Sequence, residues 1–327
     1  HYPIVVIGAL KPSERESVVA FLLRFKAPIY VEGPSGLRED PRLAPWRVAI
    51  DQIWTRSSQS GYPIDGVLRI GSIPTGRIWR DLDEKNGAVK VCSICELPFS
   101  GLSWAEGIYT PFNLFYEKVQ QRQFDVHYPC QKWLQQEKEA EEKLLHLFHE
   151  EPKAEASLFY HLSKHIAKGS LVYLGNSLPV REWDLAATFE PKQLNVAVSR
   201  GLCGIDGQIS TFLGMSSAEQ ENWALIGDLT ALYDMAAPWI LEQLPGHHVN
   251  LVVVNNGGGQ IFSRHFSHRS FLNEHQLNFG PLADFWNWQY ERWEEVPQHL
   301  SAAKRGRLIE ILPDPDATNR FWTKLKK

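Results

Sequence analysis

Short apolar runs that stop at turn residues recur along the chain, with helical patterns between them. Ile4 to Ile7 is continuous and stops at Gly8; Pro28 to Val31, Gly66 to Ile70 and Ala88 to Ile94 repeat the form. Runs of this length, bounded by turn residues, predict buried strands. Between the first two lies Pro12 to Phe25, with Val18, Val19, Leu22 and Leu23 at helical spacing and Ser13 as its N-cap. Strands alternating with helices predict parallel pairing through crossover helices.

The pattern changes at residues 131 to 156. Gln135 to Lys143 is a charged run with the spacing of a solvated helix, and it leads to Glu150-Glu151-Pro152. Proline cannot continue a helix, so a domain boundary is expected at 152, giving domains 1–152 and 153–327. The second domain repeats the alternation. A helix from Ala154 to Ile166 is followed by strand Leu171 to Leu174, a helix through Trp183 to Thr188, and strand Asn195 to Val198. Then come helix Ile209 to Ala218, strand Trp223 to Ile226, helix Ala231 to Leu244 and strand Val249 to Val254. The expected class is α/β, with two doubly wound domains and mostly parallel sheets.

Composition narrows the partners. The chain has 327 residues, 43% hydrophobic and 22% charged, with a formal net charge of −4 and no basic block. Nothing points to nucleic acid or an anionic membrane. No apolar run approaches the roughly 18 residues of a spanning helix, so a cytoplasmic protein is expected. Four cysteines do not suggest a disulfide scaffold. Cys92 and Cys95 form a C-x-x-C, and His127 with Cys130 an H-x-x-C; four such ligands could hold zinc. The strand pattern around Cys92 and Cys95 favours small apolar packing residues instead.

The chemistry concentrates at Asp228 and Asn256. Each lies just past the C-terminal end of an expected parallel strand, 28 residues apart, which is room for one crossover helix. Ligands of open α/β sheets bind outside those strand ends. A carboxylate and an amide oxygen are hard donors suited to magnesium, and Gly258 could add its backbone carbonyl. Leu229 and Thr230 open the next helix, whose free N–H groups would accept phosphate. Gly-Asp and Asn-Asn pairs are each common in turns. The combination of strand, Gly-Asp, helix, strand and Asn-Asn is what resembles the signature of thiamine diphosphate enzymes.

Four segments sharpen the resemblance: Gly175-Asn176-Ser177-Leu178-Pro179-Val180-Arg181, the turn from Arg200 to Gly207, Gly227-Asp228-Leu229-Thr230-Ala231-Leu232-Tyr233-Asp234, and Asn255-Asn256-Gly257-Gly258-Gly259-Gln260-Ile261-Phe262. In this order they resemble the 2-succinyl-5-enolpyruvyl-6-hydroxy-3-cyclohexene-1-carboxylate synthase family of menaquinone biosynthesis. Val5 to Gly8 and Gly71 to Arg77 resemble that family's central domain more loosely.

The resemblance implies thiamine diphosphate and Mg2+ (or Mn2+) as cofactors. It implies condensation of 2-oxoglutarate with isochorismate, with loss of carbon dioxide. By motif position Asp228, Asn256 and Gly258 would bind the metal. Gly204, Ile205, Gly227, Asp228, Leu229, Thr230, Asn256 and Ile261 would contact the cofactor, with Ile205 as its apolar wedge. Both substrates are di-acids, and Arg181 and Arg200 match arginines that hold carboxylates. Ser177 is an adjacent polar contact, Arg77 is carried over from the looser match, and Ile261 with Phe262 forms an apolar wall. The loop before the last motif is one residue longer than the family's usual spacing, which places the ligand at Asn256 rather than Asn255. Arg264, His265 and His268 make the following stretch more cationic than the family's.

Family members carry an N-terminal pyrimidine-binding domain that supplies an activating glutamate, and this sequence starts at the central domain. The chain alone is therefore expected to be inactive, and the whole enzyme a homodimer or tetramer. Two other readings stay open. One is a different thiamine-dependent 2-oxo-acid decarboxylase or acetolactate-type synthase, against which the arginines argue. The other is a non-catalytic nucleotide-binding module, for which Gly201 to Gly207 is a near miss to the dinucleotide fingerprint.

Overall fold

The structure is a computed structural model that describes every residue except Asn86, Asp125, Val126, Gly201, Arg264, His265, Ser267, Ala303, Lys304 and Lys327. The described residues divide into two compact units, His1–Lys143 and Leu144–Lys327. The division falls inside a long helix rather than at Pro152: Trp133 belongs to the first unit's core, while Leu147 and Phe148 belong to the second's.

In the first unit the elements run β1 (Pro3–Ile7), α1 (Arg15–Phe25), β2 (Ile29–Val31), α2 (Ile53–Gln59), β3 (Gly66–Ile70), α3 (Ile78–Glu84), β4 (Lys90–Cys95), β5 (Glu106–Tyr109), α4 (Phe112–Val119) and α5 (Gln131–Glu150). The sheet order is β2-β1-β3-β4-β5, with Val5 paired to Ile29 on one side and Leu68 on the other. Ile4 to Ile7 are fully buried, as a run apolar on both faces requires. Ser13 does not cap a helix. The chain makes a 3₁₀ turn at Pro12–Glu14 first, and the Glu14 carboxylate accepts the backbone N–H groups of Lys11 and Phe112.

In the second unit α6 (Glu155–His165), β6 (Leu171–Leu174), α7 (Leu178–Ala186), β7 (Asn195–Val198), α8 (Gln208–Met215), β8 (Asn222–Gly227), α9 (Asp228–Tyr233), β9 (Val249–Val254), α10 (Gly280–Phe285), β10 (Gln289–Trp293), β11 (Gly306–Ile311) and α11 (Pro315–Leu325) follow. The order is β10-β11-β9-β8-β6-β7, and every strand pairing in both units is parallel among the described residues. Alternate residues enter two cores: Val172, Leu174, Leu225, Val252 and Val254 face one, and Leu171, Tyr173, Ile226, Leu251 and Val253 the other. No helix among the described residues is long and apolar enough to cross a membrane.

The helix expected from Ala231 to Leu244 is broken. α9 ends at Tyr233, and a 3₁₀ segment runs from Ala237 to Gln243. Asp234 turns its carboxylate to the backbone N–H and hydroxyl of Ser210, holding the start of α8, and Pro238 has no N–H to donate. The pattern also gave no element beyond Asn256. β11 carries two buried charges that hide its apolar signal. Arg307 donates to Asn250 Oδ1 at 2.8 Å, and Glu310 accepts from three groups described below.

Candidate functional site

The second sheet reverses direction of growth at β6. The chain leaves β6 for β7 on one side, then returns to β8 on the other. The ends of β6 and β8 are therefore the switch point, where loops diverge and leave a crevice. Asn176 and Ser177 follow β6, and Asp228 follows β8 and opens α9.

Asp228 is 2% exposed. Its Oδ1 accepts the N–H of Leu229 at 2.6 Å, and its Oδ2 accepts the N–H of Gly258 at 2.8 Å. The second bond joins the Gly-Asp motif to the Asn-Asn motif directly. His275 Nε2 lies 3.3 Å from Oδ2, and its backbone N–H donates to Gly257 at 3.2 Å. Burial pushes the Asp228 carboxyl above its ordinary value, while the two N–H groups and His275 pull it back. Gly258 has φ +135°, and a Cβ there would lie 2.4 Å from the Leu272 carbonyl oxygen. Only glycine permits that turn.

The two asparagines differ. Asn255 Nδ2 donates to Leu277 O at 2.8 Å and to Glu310 Oε1 at 2.6 Å, so its amide is turned into the sheet. Asn256 Nδ2 donates to Glu155, at 3.1 and 3.3 Å from the two carboxylate oxygens. Asn256 Oδ1 is buried with no hydrogen-bond partner among the described residues. An orphaned buried acceptor costs about 1–3 kcal/mol, a cost that a cation at that oxygen would remove. The carbonyl of Gly258 accepts Gln260 N–H at 2.8 Å, leaving a second lone pair. A buried carboxylate, an unpartnered amide oxygen and a carbonyl fit a hard divalent cation.

The surrounding residues are placed as follows. Leu229 N–H is turned to the Asp228 carboxylate, not left for a phosphate as expected, and Thr230 is buried. Arg200 Nη1 donates to Asn176 Oδ1 at 3.0 Å, and Asn176 Nδ2 donates to Gly204 O at 2.7 Å. Gln208 joins this knot through Asn176 N–H and Gly204 O. The loops after β6 and β7 are thus tied together, with Arg200 fixed among them. Ser177 has φ 75° and ψ −128°, a region costly for a residue with a side chain. Arg181 donates back to the Ser177 carbonyl. Ile205 and Ile261 are half-buried, and Phe262 is exposed. Arg77 lies in the first unit, where it pairs with Asp81 at 2.9 Å.

Cys92 and Cys95 lie on β4, and Cys95 Sγ receives Arg69 Nη2 at 3.1 Å in the first unit's interior. Cys130 is in that unit's core. No group of three or more His, Cys, Asp or Glu side chains is placed to hold a metal among the described residues. Arg264 and His265 lie outside those residues. His268 Nδ1 is 2.7 Å from Ser270 Oγ at the surface. Glu155, His275, Asn176, Gln208 and Glu310 were not singled out by the sequence reading. Asn176 alone carried a signal, since it stands inside the segment Gly175-Asn176-Ser177-Leu178-Pro179-Val180-Arg181.

The chain is 39% identical over 328 residues to a 2-succinyl-5-enolpyruvyl-6-hydroxy-3-cyclohexene-1-carboxylate synthase of Bdellovibrio bacteriovorus, covering 98% of this chain and 61% of that protein. It is 32% identical over 339 residues to the synthase of the same name from Akkermansia muciniphila, with the same two coverages. This chain is a relative of these synthases. The match runs through both units, so the looser resemblance of the first 100 residues belongs to the same relationship as the four motifs. The chain spans about three fifths of the length of the synthases it matches. No family model matches.

Proposed function

We propose that this chain provides the central and diphosphate-binding units of a thiamine diphosphate-dependent synthase. The reaction joins 2-oxoglutarate to isochorismate with release of carbon dioxide, in menaquinone biosynthesis. The observation that carries the reading is the closure of Gly258 onto Asp228 at the switch point, with Asn256, two residues before Gly258, keeping an amide oxygen without a partner among the described residues. Asp228, Asn256 and the Gly258 carbonyl would hold Mg2+ (or Mn2+), and the metal would hold the diphosphate. Gly204, Ile205, Gly227, Leu229, Thr230 and Ile261 would line the cofactor. When bound, thiamine diphosphate supplies a nucleophilic carbon that takes up the oxo acid and accepts the electrons left by decarboxylation. The chain's own residues position the acids. Arg200, held by Asn176, is a fixed cation for a carboxylate, and Arg181 and Ser177 present further donors from the start of α7. Arg77 would serve the same class of ligand, while Ile261 and Phe262 would shield the reacting carbon from water.

The test is oxo-acid consumption with thiamine diphosphate, Mg2+ and isochorismate. It is run on the chain alone and on the chain mixed with the segment of the Bdellovibrio relative that it does not match. The chain alone is expected to be silent and the mixture to consume 2-oxoglutarate in preference to pyruvate. A preference for pyruvate would favour an acetolactate-type synthase. Sustained turnover by the chain alone, at about 1 per second or more, would show that an activating carboxylate lies within these residues.

A further inference from the structure

An asparagine amide has two ends of nearly equal shape, and only one can bind a cation. The oxygen is a ligand for magnesium, while the NH2 group repels it. Which end faces a site is decided by what the other end meets. At Asn256 the other end meets Glu155, 101 residues earlier in the chain. Glu155 opens α6 and is 5% exposed. An ionised carboxylate accepts and does not donate, so it can face only the NH2 end. Both of its oxygens lie within 3.3 Å of Asn256 Nδ2. The remaining end, Oδ1, is the buried atom without a partner among the described residues. Glu155 also has a separate structural tie, its backbone N–H donating to Thr318 Oγ1 at 3.1 Å, which does not depend on the carboxylate.

We propose that Glu155 is a positioning residue that locks the Asn256 amide with its oxygen presented as a metal ligand. The proposal rests on the metal reading given above. Partners that orient metal ligands typically change affinity by about 10–100-fold. The same geometry makes a second demand. An aspartate in place of Asn256 would be a good ligand in isolation, yet here it would face the Glu155 carboxylate at hydrogen-bond distance.

The test is Mn2+ binding in the presence of inorganic pyrophosphate. Free Mn2+ is read by electron paramagnetic resonance, and each variant's fold is checked by circular dichroism and melting. Glu155→Ala is expected to weaken Mn2+ binding by about tenfold or more, and Glu155→Gln, which still offers an acceptor oxygen, by much less. In the Asn256→Asp background the sign should reverse. Glu155→Gln should then strengthen binding, because its NH2 group meets the new carboxylate. A merely structural role would move both backgrounds in the same direction. If Glu155→Ala does not fold, the Glu155→Gln pair in the two backgrounds still decides the matter. Unchanged affinity in Glu155→Ala, or a shift of the same sign in both backgrounds, overturns the proposal while Asp228→Ala still abolishes binding. If Asp228→Ala also binds as the unmodified chain does, or if that chain binds no Mn2+ with pyrophosphate, the metal reading itself falls and the proposal with it.

Discussion

The two units have the same kind of sheet and treat its switch point in opposite ways. In the first, β1 and β3 diverge, and the loops beyond them close on each other. Gly8 N–H donates to Ile70 O at 3.0 Å, Ala9 N–H to Ser72 Oγ at 2.8 Å, and Ser72 N–H to Ala9 O at 3.1 Å. A Cβ on Gly8 would lie 2.2 Å from the Ser72 carbonyl oxygen. Every group named there is satisfied by the opposite loop. In the second unit the loop after β6 turns toward β7, where Asn176 is spent on Arg200 and Gly204. Asp228, after β8, meets the glycine turn after β9 instead, and Asn256 Oδ1 is left over. A doubly wound sheet supplies a crevice by topology alone. Whether it becomes a site depends on whether the loops satisfy each other or leave donor atoms for something else.

The sharpest way to break this comparison is Asp228→Ala. Metal-dependent pyrophosphate binding should fall by roughly 100-fold or more, since a unit charge about 4 Å from a cation is worth about 4 kcal/mol at an effective dielectric of about 20. The melting temperature should fall only modestly, because relief of a buried charge offsets part of the cost of leaving the Gly258 N–H without its acceptor. Isothermal titration and a melt on the same sample check both halves. Retained binding would remove the contrast between the units.

Gly8→Ala asks the converse question. The added methyl must displace the Ser72 carbonyl, which is backbone and cannot swing away, so about 1–3 kcal/mol of stability should be lost. Mn2+ binding in the second unit should stay as it was. Chemical denaturation gives the first number. A variant as stable as the parent would mean that the first crevice is looser than the close approach implies.

Tyr290→Phe probes the support beneath the site. Glu310 is fully buried and accepts from Asn255 Nδ2, Phe279 N–H and the Tyr290 hydroxyl. Removing the hydroxyl leaves two donors for a buried carboxylate, a loss of about 1–2 kcal/mol. Asn255 keeps its bond, so Mn2+ affinity should move by less than about threefold. A larger loss of binding would show that the Glu310 network sets the metal site and not only its foundation.

Much of this is legible in the amino-acid sequence alone. Strands such as Ile4 to Ile7 and Val249 to Val254 announce themselves because both faces are apolar. Gly227-Asp228 and Asn255-Asn256 were readable because motif chemistry is local. Three kinds of feature were not. β11 was hidden by Arg307 and Glu310, charges that the sheet tolerates only because each has a specific partner. The break at Asp234 depends on Ser210, 24 residues earlier. The grip of Glu155 on Asn256 and the approach of His275 to Asp228 join positions that no spacing rule relates. Local pattern reveals which residues can do chemistry, and tertiary contacts decide which of their atoms remain free for it.

The smallest effects expected concern two glutamates that oppose each other in sign. Glu137, in the first unit, is buried and pairs with Arg56 at 2.8 Å, and it also accepts from Trp133 Nε1 and Ala49 N–H. Burial outweighs those partners, so its carboxyl sits above the ordinary 4.5. Glu151, in the second unit, takes hydrogen bonds from Arg320 and Lys324, which hold it below that value. A raised folded value means the folded state binds the proton more tightly than the unfolded chain. The stability that Glu137 contributes is complete below 4.5 and is lost as pH rises through its folded value. For Glu151 the contribution is complete above 4.5 and is lost as pH falls through its folded value. Glu137→Gln should therefore gain on the parent as pH rises from acid to neutral. Glu151→Gln should be less stable than the parent at neutral pH and converge with it in acid. Denaturant unfolding of both variants across the acid range measures the two slopes. Slopes of the same sign would show that the Glu137 carboxylate is held by Arg56 more strongly than burial penalises it, and that charge is tolerated at Glu137 as readily as at Glu151.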